Sequence, residues 1–330
     1  MTSLERLCRT LLIVLMGMAT VWGLAHILVP APDVSGNVPP NTASAVDFDH
    51  GIQRGGASGA QHADEVTGPY ERKENYYTFL LVGMDRGGGN TDSLMLVSYD
   101  VDNQTVSVGS IARDTRVDVE RKLKKINAAY ALAGGMDGLI EEVSRTFGIP
   151  VDFYFRVNIR GFVRLVNAVD GVDVYVPCNM NYDDEEQDLS IHYAKGMQHL
   201  NGQQALEVCR FRQNNDGSGY GDGGRQETQR AVLTAVLKKA LSHPEKINDY
   251  VAIAQENLET NLSASNMAWF ATKALSFSTD NLNTMSMPCE WINPYMYLDP
   301  DETLTMVNEY FNPYVLPRTA NQLDIITRKS

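Results

Sequence analysis

Arg210, Arg212 and Arg225 crowd a short glycine-rich stretch of a chain whose formal net charge is −13. The stretch reads Cys209-Arg210-Phe211-Arg212, then Gly221-Asp222-Gly223-Gly224-Arg225-Gln226-Glu227-Thr228-Gln229. A planar guanidinium meets phosphate oxygens with two parallel hydrogen bonds, so the cluster points to a phosphate or diphosphate ligand. Pairing with surface carboxylates is the other use such arginines have. A second set lies upstream. Asp92 starts one strand-like run, and Arg113-Asp114 follows another. If the two runs form a hairpin, both carboxylates sit at one end of a sheet. There they suit Mg²⁺, a hard ion that takes oxygen ligands and substrate phosphates. The alternative is that Asp92 caps a turn and Asp114 pairs with Arg113.

Other chemistries find less support. Gly87-Gly88-Gly89 follows a strand-like run and is able to offer backbone amides to an anion, but no Lys-Ser/Thr follows as in a P-loop, and the stretch reads as a mobile turn. The six histidines form no HExxH, and His192 and His199 read as structural residues flanking a turn. No nucleophile elbow is present. The acidic run 183–188 lacks EF-hand spacing and reads as a solvated loop. Tyr130 reads as core or pocket lining. The acidic balance argues against general nucleic-acid binding, which needs a basic face.

The elements that would position these residues start at Tyr76. Residues 77–84 form a near-continuous apolar run, as in a strand buried on both faces. Residues 93–99 and 105–111 are strand-like, with Asp102-Asn103 as the turn between them. Residues 135–147 read as a helix ended by Gly148 and Pro150. A strand over 151–157, a helix over 159–168 capped by Asn158, and a strand over 171–176 follow. Asn201-Gly202 opens a helix over 203–211, and 226–241 has helical apolar spacing. Further helices are expected over 244–258, 265–277 and 301–311, with a last strand near 285–288. This interleaving implies an α/β sandwich with helices on both faces of a sheet.

The ends differ in texture. Residues 10–30 contain no Asp, Glu, Lys or Arg and are long enough to cross a bilayer as one helix. Arg6 and Arg9 precede that run and Asp33 follows, which places residues 1–9 in the cytoplasm and the remainder outside. A cleaved signal peptide is the rival, but the apolar run is long and Pro32 spoils the cleavage site. Residues 31–75 are rich in Pro, Gly, Ser, Ala and Asp and read as a flexible extracytoplasmic linker. The globular domain is expected over 76–317, with a tail over 318–330. Cys178, Cys209 and Cys289 would lie outside, where disulfides persist, and Cys178–Cys289 is the pairing expected.

Together these segments resemble the LytR-CpsA-Psr family of cell-wall glycopolymer transferases. The resemblance runs through Phe79-Leu80-Leu81-Val82-Gly83-Met84-Asp85, Thr91-Asp92-Ser93, Ser110-Ile111-Ala112-Arg113-Asp114-Thr115 and Lys125-Ile126-Asn127-Ala128-Ala129-Tyr130. It continues over Gly171-Val172-Asp173-Val174, His199-Leu200-Asn201-Gly202 and the segment from Arg210 to Gln229. The resemblance implies a three-layer α/β/α sandwich with a mixed central sheet, behind one transmembrane helix. It implies a Mg²⁺ (or Mn²⁺) dependent phosphotransferase. Such an enzyme moves an undecaprenyl-diphosphate-linked glycan onto peptidoglycan, at the C6 hydroxyl of N-acetylmuramic acid. It implies Asp92 and Asp114 as metal carboxylates, and Arg113, Lys125, Arg210, Arg212, Arg225 and Gln229 as diphosphate ligands. Asp92, Arg113, Asp114, Arg210 and Arg212 would be catalytic, with Asp222 in support and Asp222 and Gln229 orienting Arg225. The pattern departs from the family at Asn90, where Arg is frequent, and at Thr228, where a second Arg is common and Arg230 lies just beyond. The same residues would serve a polyprenyl-diphosphate hydrolase or a non-catalytic regulatory protein.

Overall fold

The computed structural model describes residues 30–40, 70–84, 91–186 and 189–326. The first strands are β1 (Tyr76–Met84), β2 (Thr91–Asp100) and β3 (Thr105–Ile111). Helices α1 (Ala129–Leu132) and α2 (Met136–Phe147) lead to β4 (Phe153–Val157) and α3 (Ile159–Ala168). Two short ribbons follow, built from β5 (Val172–Val176), β6 (Met180–Asp184), β7 (Leu189–Tyr193) and β8 (Gly196–Leu200). Next come α4 (Gly202–Arg210), α5 (Gly221–Ser242), α6 (Ile247–Asn257), β9 (Leu258–Thr260) and α7 (Ala264–Ala274). The chain closes with β10 (Leu282–Ser286), β11 (Cys289–Ile292), β12 (Tyr295–Leu298) and α8 (Pro300–Met306).

The central sheet is mixed, in the order β10-β3-β2-β1-β4-β9. β1, β2 and β3 form an antiparallel meander, while β4 runs parallel to β1 and β10 parallel to β3. Alternate residues serve opposite faces. On one face Leu80, Val82, Leu94 and Leu96 pack with Leu139, Val143 and Phe147 of α2 and with Phe311. On the other, Tyr77, Phe79, Tyr99 and Phe153 pack against Trp269 of α7, with Tyr77 and Trp269 edge-to-face at 5.5 Å. A further core joins α3, α4 and α5 to the small ribbons through Val166, Val172, Ile191, Val208 and Phe211. The local signals for these helices are met. Asn158 accepts the Gly161 N–H at 2.8 Å, Asn201 and Gln204 cap α4 reciprocally, and α2 ends at Gly148 in the left-handed conformation.

Several expectations need correction. Residues 32–37, within the stretch read as a linker, lie against the domain. Pro32 accepts the Tyr77 hydroxyl at 3.3 Å, Val34 joins the aromatic core, and Asn37 donates to Asp152 at 2.9 Å. Composition hides these contacts because a few specific groups make them. The domain also runs past 317. Arg318 is buried over the Tyr314 ring, Leu323 and Ile325 pack on the main core, and Asp324 pairs with Arg145 at 2.7 Å. The acidic run is not all loop, since Asp183 and Asp184 end β6, Glu185 and Glu186 form a turn, and β6 pairs with β7. His192 and His199 lie on β7 and β8, paired with Asp183 and Asp173. Cys178, Cys209 and Cys289 are free thiols, so the expected Cys178–Cys289 bridge is not formed. Apart from Pro30, the apolar segment 10–30 lies outside the described residues. Among the described residues no helix is long and apolar enough to cross a membrane.

One buried ion pair ties the start of the domain to the sheet. The Asp152 carboxylate accepts from Arg72 at 2.7 Å and from the Thr78 backbone and hydroxyl at 2.9 Å. Its side chain is fully buried. Asp152→Ala leaves the Arg72 guanidinium buried without its carboxylate, and is expected to destabilise the fold by about 3–5 kcal/mol in denaturant titration.

Candidate active site

The site forms where β1, β2 and β3 end together. Leu94 pairs with Ile111, so Asp92 and the Arg113-Asp114 pair emerge from the same end of the sheet. Gly83 pairs with Ser93 and Met84 with Thr91, which leaves Asp92 as the extra residue of a β-bulge. A bulge bends the strand and re-aims its side chain, here at the sheet end. Arg113 Nη1 donates to Asp92 Oδ1 at 3.0 Å, and its Nε lies 3.9 Å from Asp114 Oδ1. The loop after β3 doubles back through an Arg116–Lys125 bridge, bringing Lys125 Nζ to 3.1 Å from Asp114 Oδ1. Arg121, paired with Glu142, donates to the Lys125 carbonyl and fixes that loop.

The other arginines arrive from the α4–α5 connection. Arg210 is the last residue of α4. The Arg212 carbonyl accepts the N–H groups of Tyr220 and Gly221, which locks the turn into α5. Gly224 is required there, because a Cβ would stand 2.0 Å from the Tyr220 ring. Asp222 then sits between two cations, 2.7 Å from Arg225 and 3.5 Å from Arg212. Gln226 donates to its other oxygen at 3.1 Å.

These groups enclose a cavity of about 380 Å³ lined by Asp92, Arg113, Arg210, Arg212, Arg225 and Gln229, with Tyr182, Leu189 and Gln213 at its sides. Four guanidinium groups thus face one lining carboxylate. Burial pulls the pKa of Arg212 below its ordinary value, and the neighbouring Arg113 adds to that pull. Burial lowers Arg225 too, with Asp222 opposing. Arginine starts so high that both stay charged, and the direction reflects above all the cost of burying a cation. A multivalent anion would relieve them.

A second cavity, of about 490 Å³, adjoins the first and shares Asp92, Cys209, Arg210 and Gln229 with it. It lies between the sheet and helices α3, α4 and α5. Leu81, Met95, Phe162, Leu165, Leu206, Leu233 and Val236 give it an apolar wall.

The structure thus brings Asp92, Arg113, Arg210, Arg212, Arg225 and Gln229 to one cavity. Asp114, Lys125 and Asp222 stand beside it as ion-pair partners of lining residues or of each other. Gln229 donates to the Cys209 carbonyl at 3.2 Å, so the contact that orients Arg225 is with Asp222. Thr228 is buried and bonded to Gly224 and Tyr220. Arg230 bonds Ser110 and Ser286, pinning α5 to β3 and β10, and does not line the cavity. Tyr130 packs on the main core beneath Arg156. Asn90 lies outside the described residues. Gln226, Gln213, Tyr182 and the apolar wall carried no distinctive sequence signal beyond helical spacing at Leu233 and Val236.

The LytR_cpsA_psr family model matches residues 48–311. The chain belongs to this family. It is 32% identical over 255 residues to the polyisoprenyl-teichoic acid–peptidoglycan teichoic acid transferase TagV of Bacillus subtilis (strain 168). That match covers 74% of this chain and 62% of that protein. It is 38% identical over 202 residues to the transferase of the same kind named TagU from Bacillus mycoides (strain KBAB4), covering 59% of this chain and 63% of that protein. The crystal structure of B. subtilis TagV superposes with a TM-score of 0.59 at 31% identity, over 70% of this chain and 94% of that one. The mixed central sheet is therefore that of the LytR-CpsA-Psr family. The matched regions span less than two thirds of either curated relative.

Inorganic pyrophosphate is the simplest anion for the arginine-lined cavity. At about one hundred times its dissociation constant it is expected to add about 2.7 kcal/mol to the unfolding free energy. Arg212→Ala removes charged hydrogen bonds worth about 1.5–3 kcal/mol. Calorimetric titration of that variant is therefore expected to show pyrophosphate binding weakened about 10–100-fold.

Proposed function

We propose that this chain is a phosphotransferase of cell-wall assembly. Its donor is a glycopolymer carried on undecaprenyl diphosphate, such as a teichoic acid, capsular or other secondary wall glycan. Its acceptor is peptidoglycan, at the C6 hydroxyl of N-acetylmuramic acid. The observation that carries this reading is the junction of the two cavities. An arginine-lined space fit for a diphosphate opens onto an apolar space fit for a prenyl chain, through the shared residues Asp92, Arg210 and Gln229. The names of TagV and TagU, transferases acting on polyisoprenyl-teichoic acid and peptidoglycan, support the same reading.

In this reading Arg113, Arg210, Arg212 and Arg225 hold the diphosphate. Arg225 is fixed by Asp222, which is itself held by Gln226. The acceptor oxygen attacks the phosphorus that bears the glycan, and the bond to the bridging oxygen breaks. Undecaprenyl phosphate leaves with that electron pair, and the arginines offset the charge it gains. The acceptor proton must pass to a carboxylate. Asp92 lines the cavity and Asp114 stands beside it, and whichever carboxylate oxygen is not engaged with a cation would take the proton.

The donor set also fits Mg²⁺ (or Mn²⁺). Such an ion needs only one or two protein carboxylates where substrate phosphates complete its shell. Asp92 and Asp114 flank one guanidinium at the sheet end, and each uses Oδ1 for a cation among the described residues. Those two residues would hold the ion, which when bound would supply further charge stabilisation at the phosphates.

Residues 10–30 serve in this reading as a single membrane anchor, with the amino terminus in the cytoplasm and the catalytic domain outside. Pro32, Val34 and Asn37 contact the domain directly. The domain therefore sits close to the bilayer that holds the lipid donor, rather than at the end of a long tether.

The test mixes the full-length protein in detergent micelles with a polyprenyl-diphosphate glycan and uncrosslinked peptidoglycan, and detects the coupled product by mass spectrometry. Coupling is expected only with Mg²⁺ or Mn²⁺, and Asp92→Asn is expected to lower kcat by about 10²–10³. Release of glycan phosphate without coupling would assign water as the acceptor. Lipid binding without turnover would refute catalysis.

A further inference from the structure

The β11–β12 hairpin was not expected from the sequence, and it is built onto the site. The Met296 N–H donates to the Asp114 carbonyl at 2.9 Å, and the Met296 carbonyl accepts the Arg116 N–H at 2.8 Å. The hairpin thus extends the backbone of the segment that carries Arg113 and Asp114. Its register pairs Trp291 with Met296 and Cys289 with Leu298. These four side chains share one face of the ribbon. Leu298 and Cys289 anchor that face on the main core. The Cys289 thiol is raised chiefly by burial, with the charge of Asp222 adding to the rise.

Trp291 continues the same face two residues toward the hairpin tip, yet it is 53% exposed. Trp269, by contrast, is 7% exposed. Among the large apolar side chains left exposed in the described residues, Trp291 is the one carried by the ribbon that bonds Asp114. The ribbon that holds it is stiffened from the opposite face, where Tyr295 and Tyr297 meet edge-to-face at 6.3 Å and Arg116 lies over the Tyr295 ring. Trp291 is therefore an exposed ring on a ribbon that is braced from its other face. It stands across one strand pair from the residue that bonds Asp114.

We propose that Trp291 is a sugar-stacking platform, which holds a pyranose ring beside the arginine-lined cavity. The C–H face of a pyranose is weakly positive and packs flat on the negative face of an indole. Trp291 lines neither cavity, and its link to the site is the backbone bond from Met296, its partner across the ribbon, to Asp114 beside Arg113. The proposal rests on the transferase reading for the origin of the sugar, which is either the acceptor strand or the donor glycan.

The test uses full-length protein in detergent micelles and three probes: a soluble peptidoglycan glycan strand, the polyprenyl-diphosphate glycan, and polyprenyl monophosphate, which has no sugar. By analogy with bases stacked on aromatic residues, Trp291→Ala is expected to weaken one sugar-bearing probe about tenfold, while Trp291→Phe stays within about twofold of wild type. Binding of polyprenyl monophosphate to both variants is expected to be unchanged, which also reports that they are folded. Weakening of the glycan strand assigns the platform to the acceptor, and weakening of the lipid-linked glycan assigns it to the donor. Unchanged affinity for both overturns the proposal. Wild-type protein that binds both sugar probes without coupling them refutes the transferase reading and leaves the platform to be judged on binding alone.

Discussion

Like charges held at close range repel, and four arginines around one cavity place that constraint on everything near them. The chain meets it with carboxylates placed between or beside cations. Asp222 bridges Arg225 and Arg212, Asp92 takes Arg113, and Asp114 takes Lys125. Each carboxylate needs its own positioning device. A bulge re-aims Asp92, the first turn of α5 presents Asp222, and the doubled-back loop after β3 delivers Lys125 to Asp114. Burial adds a desolvation cost at Arg212 and Arg225 that these carboxylates oppose. Such an arrangement suits an anion, as the proposed diphosphate site requires.

The apolar cavity follows from the same layout. Helix α5 carries Arg225 at one end, is pinned to the sheet by Arg230 further along, and offers Leu233 and Val236 to the cavity wall. One rigid helix thus spans the polar and the apolar halves of the site. A lipid bearing a diphosphate has the same two halves in the same order, and the contacts of residues 30–40 place the domain near where such a lipid resides in the proposed topology.

Much of this was legible in the sequence because the informative signals are local. The runs that became β2 and β3, with the polar turn between them, are enough to put Asp92 and Asp114 at one sheet end, and the strand register agrees. The caps at Asn158 and Asn201 fixed the starts of α3 and α4. What stayed hidden depends on pairing between distant segments. The bulge at Asp92 exists only in register with β1. The β6–β7 hairpin was masked by acidic composition, although Met180, Tyr182, Leu189 and Ile191 alternate as strand residues do. The strands of β11–β12 are four residues each, too short to announce themselves, and their place is set by hydrogen bonds to Asp114 and Arg116. The linker reading failed at Val34 and Asn37 because two side chains meeting buried partners leave no trace in composition.

The most direct test of the central claim is a crystal structure of the protein with a polyprenyl diphosphate bound. The account predicts both phosphates against Arg113, Arg210, Arg212 and Arg225, with the prenyl chain in the cavity walled by Phe162, Leu206 and Leu233. Phosphates bound elsewhere, or a prenyl chain lying outside that cavity, would contradict it.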